Sequence, residues 1–219
     1  MMEYLRDLFY ALDFGSMLDA VLRVTAIFLC LTIHETSHGL AALALGDPTA
    51  KSMHRLSLNP LRHIDWVGLF MMFAAGFGWA KPVPVDLRYF KKPKQGMAIT
   101  ALAGPLSNLI LAAAALLIGK LILLYAPYTP FYDLLFGFLV YTLAPLSVGL
   151  GLFNLLPIPP LDGSKLLAVL LPDRAYAALM RYEHLGIILL LLLSVVGAGS
   201  HVIGNAILMV YSALMVWIF

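Results

Sequence analysis

The sequence predicts an all-α polytopic membrane protein of about four to five transmembrane helices, with a re-entrant, β-hairpin-like segment near residues 66–86. Three observations predict it. Of the 219 residues 62% are hydrophobic and only 12% charged, with a mean hydropathy of +0.91, which is too apolar for a water-soluble globule. Several apolar runs are long enough to cross a hydrocarbon core that requires about 20 helical residues. One of these runs is interrupted by His34-Glu35-Thr36-Ser37-His38, ionisable groups that are costly at membrane depth and mark a site facing the protein interior. The net charge of +2 is unremarkable, and no basic stripe interleaved with aromatics points to nucleic acid. The surroundings such a surface requires are membrane lipids, and residues 1–219 read as a single domain.

Residues 1–19 carry Glu3, Asp7, Asp13 and Asp19 against Arg6 alone, the wrong charge order for a cleaved signal, so the first apolar helix is expected to stay in the protein. Before it, Tyr4, Leu5, Leu8, Phe9 and Leu12 recur at helical spacing, which suits an interfacial helix over residues 1–14. The first span runs from about Met17 to Leu45 and stops at Gly46-Asp47-Pro48, a C-cap glycine followed by a helix-breaking proline.

The second half of that span holds the histidines. Positions i and i+4 stack on one helix face, so both imidazoles can reach one ion, with zinc the expected metal. Glu35 stands beside them and can take a proton from water that the ion acidifies, as a general base does. Cys30, one turn earlier, reads as a buried filler.

The following loop, with Lys51, Arg55 and Arg62, has the basic bias of a cytoplasmic segment. The apolar stretch 67–80 is too short to cross and is rich in glycine. From Gly76 to Asp86 it alternates small, aromatic and β-branched residues with prolines, which suits a bent hairpin or edge strand returning to the side it came from. Arg88, Lys91, Lys92 and Lys94 place its far end on the cytoplasmic side as well. The second span covers about residues 95–124 and contains Gly104-Pro105-Leu106-Ser107-Asn108, where Asn108 is either an interhelical hydrogen-bonding residue or part of the site. The uncharged connection over residues 125–131 fits the outer face, its tyrosines at headgroup level.

The third span, about Tyr132 to Leu156, runs into Asn154-Leu155-Leu156-Pro157-Ile158-Pro159-Pro160-Leu161-Asp162-Gly163. Three prolines forbid continued helix, so the chain is expected to unwind and to present Asp162 from a loop at the depth of His38. His54, His63, Asp65 and Glu183 compete with Asp162 as third ligand by residue type. The first three lie in a basic loop, where Asp65 can pair with Arg62 or cap the next turn, and Glu183 sits beside Arg181 at a span entrance. Residues 185–219 are apolar and broken near Gly197 to His201, giving a tight hairpin or one bent helix, with His201 a packing residue.

The motifs HETSH at 34–38, NPLRHID at 59–65, GFGWAKPVPVD at 76–86, GPLSN at 104–108 and NLLPIPPLDG at 154–163 together resemble the site-2 protease family, zinc metalloproteases that cut helices within the membrane. The resemblance covers Met17 to about Leu171. It implies an intramembrane metalloprotease domain in which His34, His38 and Asp162 hold one Zn2+, Glu35 is the base, and Asn154 helps hold the substrate or the developing oxyanion. It also implies a transmembrane protein substrate that pairs with the re-entrant edge, while the basic loops put the site toward the cytoplasmic side of what is expected to be a prokaryotic plasma membrane. No inserted PDZ module is visible, which leaves substrate selection to partners or to prior shortening of the substrate, and no motif specifies the oligomeric state. The rival from another class is a transporter relaying protons or ions through the same acids and histidines. A further rival is a catalytically silent zinc-containing membrane protein, against which the three ligand candidates argue, since a structural site closes with four.

Overall fold

The computed structural model describes residues 17–68, 80–196 and 200–219; the side chains of residues 191, 193–196, 200 and 201 fall outside the described set. The expected interfacial helix 1–14, the turn of the re-entrant segment and the packing of His201 therefore lie outside the described residues. Helix α1 spans Met17–Ala44, α2 Thr49–Ser52, α3 Pro93–Tyr125, α4 Pro130–Asn154, α5 Asp162–Leu170, α6 Asp173–Arg181, α7 Glu183–Val196 and α8 Ser200–Ile218.

Three of these are long and apolar enough to cross a bilayer: α1 with 28 residues, α3 with 33 and α4 with 25. At about 1.5 Å per residue even the shortest exceeds the roughly 30 Å of a hydrocarbon core. Val202–Ile218 of α8 is apolar but shorter. The apolar tail forms two helices, α7 and α8, as a hairpin reading requires, and their junction at 197–199 lies outside the described residues.

The helix ends follow from local chemistry. At the end of α1, Gly46 takes φ +106°, Asp47 N–H donates to Ala42 O at 2.9 Å and Gly46 N–H to Leu43 O at 3.0 Å. This is the paired closure that a C′ glycine permits. At the start of α4, Thr129 accepts from Tyr132 N–H and Pro130 fills the first turn. The middle of α4, Phe138–Leu143, widens into a π-helical turn, and Tyr211 of α8 donates to Val140 O at 2.9 Å.

Helix α3 is the axis of the molecule, packing against α1, α4, α5 and α8. Its contact with α1 is built from two stripes at four-residue spacing. On α1 the buried residues Ala26, Cys30, His34, His38 and Ala42 share one face; on α3 Gly96, Thr100, Gly104, Asn108, Ala112 and Leu116 do the same. Small residues at such spacing let two membrane helices approach closely, which matters where lipid supplies no hydrophobic drive for helix association. Toward the other end, Leu116, Val140 and Val148 are fully buried in the apolar core. Lys120 Nζ there donates to Ile218 O and ties the end of α8 to α3.

The flanks of the expected re-entrant segment are partly seen. Ile64 and Ala80 form a single antiparallel bridge, Lys81 N–H donates to His63 O at 2.8 Å, and residues 81–86 run on without regular structure. Among the described residues there is no sheet, and residues 81–86, the described end of the stretch read as a bent hairpin or edge strand, are irregular. Two of its residues, Pro82 and Pro84, cannot donate to a ladder.

Candidate metal centre

The site forms where α1, α3 and α5 meet. Helical spacing puts His34 and His38 on the α1 face turned to α3, with ring centroids 4.6 Å apart and planes at 87°. Asp162 arrives from a distance of more than a hundred residues: His34 Nε2 and His38 Nε2 each lie 3.0 Å from its Oδ2. All three residues are buried. The sequence reading placed Asp162 in a loop; it is instead the first residue of α5. The chain unwinds from Leu155 to Leu161 and then turns helical again, and Gly163 brings this backbone so close to Leu155 that a Cβ would stand 2.2 Å from Leu155 O.

Two imidazoles and a carboxylate are the donor types that zinc takes. Zinc bonds of about 2.0–2.2 Å imply ligand atoms roughly 3.3 Å apart in a tetrahedron, and the observed separations from Asp162 Oδ2 are 3.0 Å. Among the described residues this is the one cluster of three such side chains whose ligand atoms all lie close enough to share an ion. The residues therefore fit the metal, and three protein ligands leave a position open.

Outer contacts orient each ligand. His38 Nδ1 lies 2.7 Å from Thr100 O; a carbonyl only accepts, so the ring proton sits on Nδ1 and Nε2 carries the lone pair. His34 Nδ1 faces the side-chain amide of Asn108 at 3.1 Å. Lys165 Nζ donates to Asp162 Oδ1 at 2.9 Å, leaving Oδ2 for the histidines.

Glu35 points to the irregular segment, its Oε2 accepting from Val83 N–H at 3.0 Å. That segment is clamped from two sides. Arg55 Nη2 donates to Lys81 O at 2.8 Å and Pro82 O at 3.3 Å, and fully buried Asp47 accepts from Thr49 N–H at 2.9 Å and Asp86 N–H at 2.7 Å. Asp47 thus fixes the segment to the end of the histidine helix.

The remaining sequence candidates are placed elsewhere. His63 Nε2 donates to Ser57 O at 2.7 Å, and Asp65 Oδ1 caps the next turn by accepting from Val67 and Gly68 N–H, both at 2.9 Å. His54 sits in a turn with φ +53° and Glu183 opens α7. Cys30 packs in the apolar core. Asn154 ends α4 with its amide donating to Leu150 O at 3.0 Å and makes no hydrogen bond to His34, His38 or Asp162. Sequence reading missed Asp47, taken only as part of a stop signal, and Lys165, taken only as a topological charge. It saw Gly104 and Asn108 but not the four-residue period from Gly96 to Leu116 that points both at the histidines, a signal the sequence does carry.

The family model of Peptidase family M50 matches residues 118–196, the part that contains Asn154 and Asp162. The chain is 39% identical over 185 residues, 82% of its own length and 83% of the relative's, to "Putative zinc metalloprotease YwhC" of Bacillus subtilis. It is 29% identical over 183 residues, 81% of its own length and 68% of the relative's, to "Putative zinc metalloprotease Rip2" of Mycolicibacterium smegmatis. No solved structure matches. Both similarities run over most of the chain, and the likeness that the motifs suggested is one of descent: the chain belongs to peptidase family M50, the site-2 protease family.

Proposed function

We propose that this membrane protein hydrolyses peptide bonds of transmembrane or membrane-associated proteins, with His34, His38 and Asp162 holding one zinc ion and Glu35 acting as general base. The observation that carries the reading is the convergence of the three buried ligand atoms, two from an apolar span and one from the start of α5, with Glu35 next in sequence to one of them. Zinc bound there supplies a Lewis acid that acidifies water and polarises a carbonyl.

Glu35 takes the proton of the attacking water and later delivers it to the leaving amine nitrogen, so the carboxylate ends the cycle as it began. The Val83 N–H on Oε2 fixes one oxygen and leaves Oε1 for this proton. Asn154, eight residues before Asp162 on the stretch of chain that leads to it, is assigned to substrate or oxyanion contact, after its amide leaves Leu150 O. The clamped segment 81–86 beside Glu35 is assigned to the substrate backbone. A helical substrate has to unwind locally, because its carbonyls are hydrogen-bonded and shielded, and pairing with an extended segment compensates the lost bonds.

On this reading residues 1–219 are one domain in a prokaryotic plasma membrane, spanned four to five times. The site faces the cytoplasm, because Lys51, Arg55, Arg62, Arg88, Lys91, Lys92, Lys94, Lys165, Arg174 and Arg181 all border that end of the spans. The family's peptidase character disfavours the transporter alternative. Incubation of detergent-purified protein with a panel of single-span substrates, with and without a zinc chelator, tests the proposal. Cleavage should be lost on chelation and restored by added zinc; cleavage indifferent to the chelator would refute it.

A further inference from the structure

The two histidines are oriented by groups of different kinds. Thr100 O can only accept from His38 Nδ1–H, whereas the group facing His34 Nδ1 is the Asn108 amide, which carries a donor at one end and an acceptor at the other. The two ends have nearly the same shape, and their assignment follows from the hydrogen-bond network. With Nδ2 toward the ring, as the 3.1 Å contact has it, the amide donates to Nδ1. The ring proton then sits on Nε2, and that nitrogen has no lone pair for a metal. In the same orientation Oδ1, the strong acceptor of this side chain, is buried without a partner. An end-for-end turn of the amide sets Oδ1 against Nδ1–H and returns the lone pair to Nε2.

Asn108 has little freedom to do anything else. It is 0% exposed, and its own carbonyl accepts from Ser147 Oγ of α4 at 2.7 Å. Gly104, one turn earlier, brings the α3 backbone against both rings: a Cβ there would stand 2.4 Å from His38 Nε2 and 2.7 Å from His34 Cε1. The rings therefore cannot turn freely against α3, and the amide is the group that decides the tautomer of His34.

We propose that Asn108 is the positioning residue for His34: its amide oxygen accepts from Nδ1–H and so sets the tautomer in which Nε2 binds the metal. This rests on the zinc reading above. Histidine ligands generally depend on such a partner for orientation and basicity, and losing it costs about 10- to 100-fold in metal affinity.

Zinc dissociation constants, measured by chelator competition on the full-length detergent-purified protein, test the inference. Asn108→Ala should bind zinc about 10- to 100-fold more weakly than the wild type while its metal-free form keeps the wild-type thermal midpoint. Asn108→Asp should bind within a few-fold of the wild type, since a carboxylate oxygen accepts from Nδ1–H in the same place. An Asn108→Asp variant as weak as Asn108→Ala would assign the amide's N–H to the ring and overturn the inference; so would an Asn108→Ala variant that binds as the wild type does. His34→Ala separates the two levels. If it binds zinc as tightly as the wild type, the zinc reading itself fails; if it loses zinc while both Asn108 variants retain it, only the role given to Asn108 fails. Should the variants not fold, imidazole nitrogen NMR of the zinc-loaded wild type decides the same question, with His34 protonated at Nδ1 supporting the inference and protonated at Nε2 overturning it.

Discussion

Replacing Gly104 by alanine should weaken metal binding and cleavage while leaving the fold intact. In an unconstrained helix the change is favourable by up to about 1 kcal/mol, because glycine loses the most backbone freedom on folding. Here the new methyl would stand 2.4 Å from His38 Nε2 and 2.6 Å from its Cε1, against the 3.4 Å at which ordinary contact begins. The shortfall, 3.4 minus 2.4, means that an imidazole or the α1 backbone must recede by about 1 Å. Overpacking of this kind costs roughly 1–3 kcal/mol, so after the helix gain the net loss of stability is about 0–2 kcal/mol and the protein still folds. The ligand set has no such tolerance, since metal distances are held to within about 0.2 Å and misplacing a catalytic group by 1 Å costs roughly 100-fold in rate. The assay is a pair of measurements on purified Gly104→Ala: bound zinc per chain, and cleavage of a single-span substrate relative to wild type. Zinc affinity and cleavage should each fall by about two orders of magnitude with the helical signal unchanged. A variant that keeps zinc and cleaves within a few-fold of wild type would show that the rings do not need the space beside Gly104, and the geometry argued for the site would be wrong.

Three further outcomes are expected. Glu35→Gln should retain zinc and lose cleavage by at least the ~10²- to 10⁴-fold typical of general-base removal, because glutamine keeps the shape beside the ion and cannot take the water's proton; substantial residual hydrolysis in a metal-loaded sample would exclude Glu35 as base. Asp162→Ala should lose most of its zinc by metal analysis, whereas Asp65→Ala should keep it and lose only a turn cap of about 0.5–2 kcal/mol; the reverse pattern would move the third ligand into the loop after α1. Thr129→Cys, at the uncharged start of α4, should react with an impermeant thiol reagent from outside the cell on a Cys30-free background; labelling only from the cytoplasmic side would invert the orientation assigned from the basic loops.

Much of this architecture is legible in the residues themselves. The spans of α1, α3 and α4 follow from apolar length and from punctuation by Gly46, Pro127, Pro130 and the proline run after Leu156, so their observed limits fall within a few residues of those read from sequence. The histidine pair is legible because its spacing is a property of one helix. Asp162 is less so: its depth follows from the topology, but its local structure does not. An Asp-Gly pair after three prolines reads as a loop, and only the tertiary setting, with Gly163 pressed against Leu155 O, lets it start a helix. The run 81–86 is irregular, and after the backbone bond from Lys81 N–H to His63 O its partners are the side chains of Arg55, Asp47 and Glu35. Side-chain partners of backbone groups leave no periodic trace.

Helix α3 is harder to read. Taken alone, Gly96, Thr100, Gly104 and Asn108 are small or polar residues of a span, and small residues every fourth position commonly mean no more than close helix packing. The close approach has a second consequence once the opposing helix carries histidines. A backbone near enough to touch an imidazole can offer it a carbonyl, as Thr100 does to His38 at 2.7 Å, and a side chain one or two turns away can reach the other ring, as Asn108 does to His34 at 3.1 Å. Buried as they are, those ring nitrogens each need a partner in the protein, because an unpaired buried polar group is costly. The same stripe therefore packs the helices and fixes the ring orientations, and the candidate metal centre is as much a property of α3, which brings no candidate ligand, as of α1, which brings two.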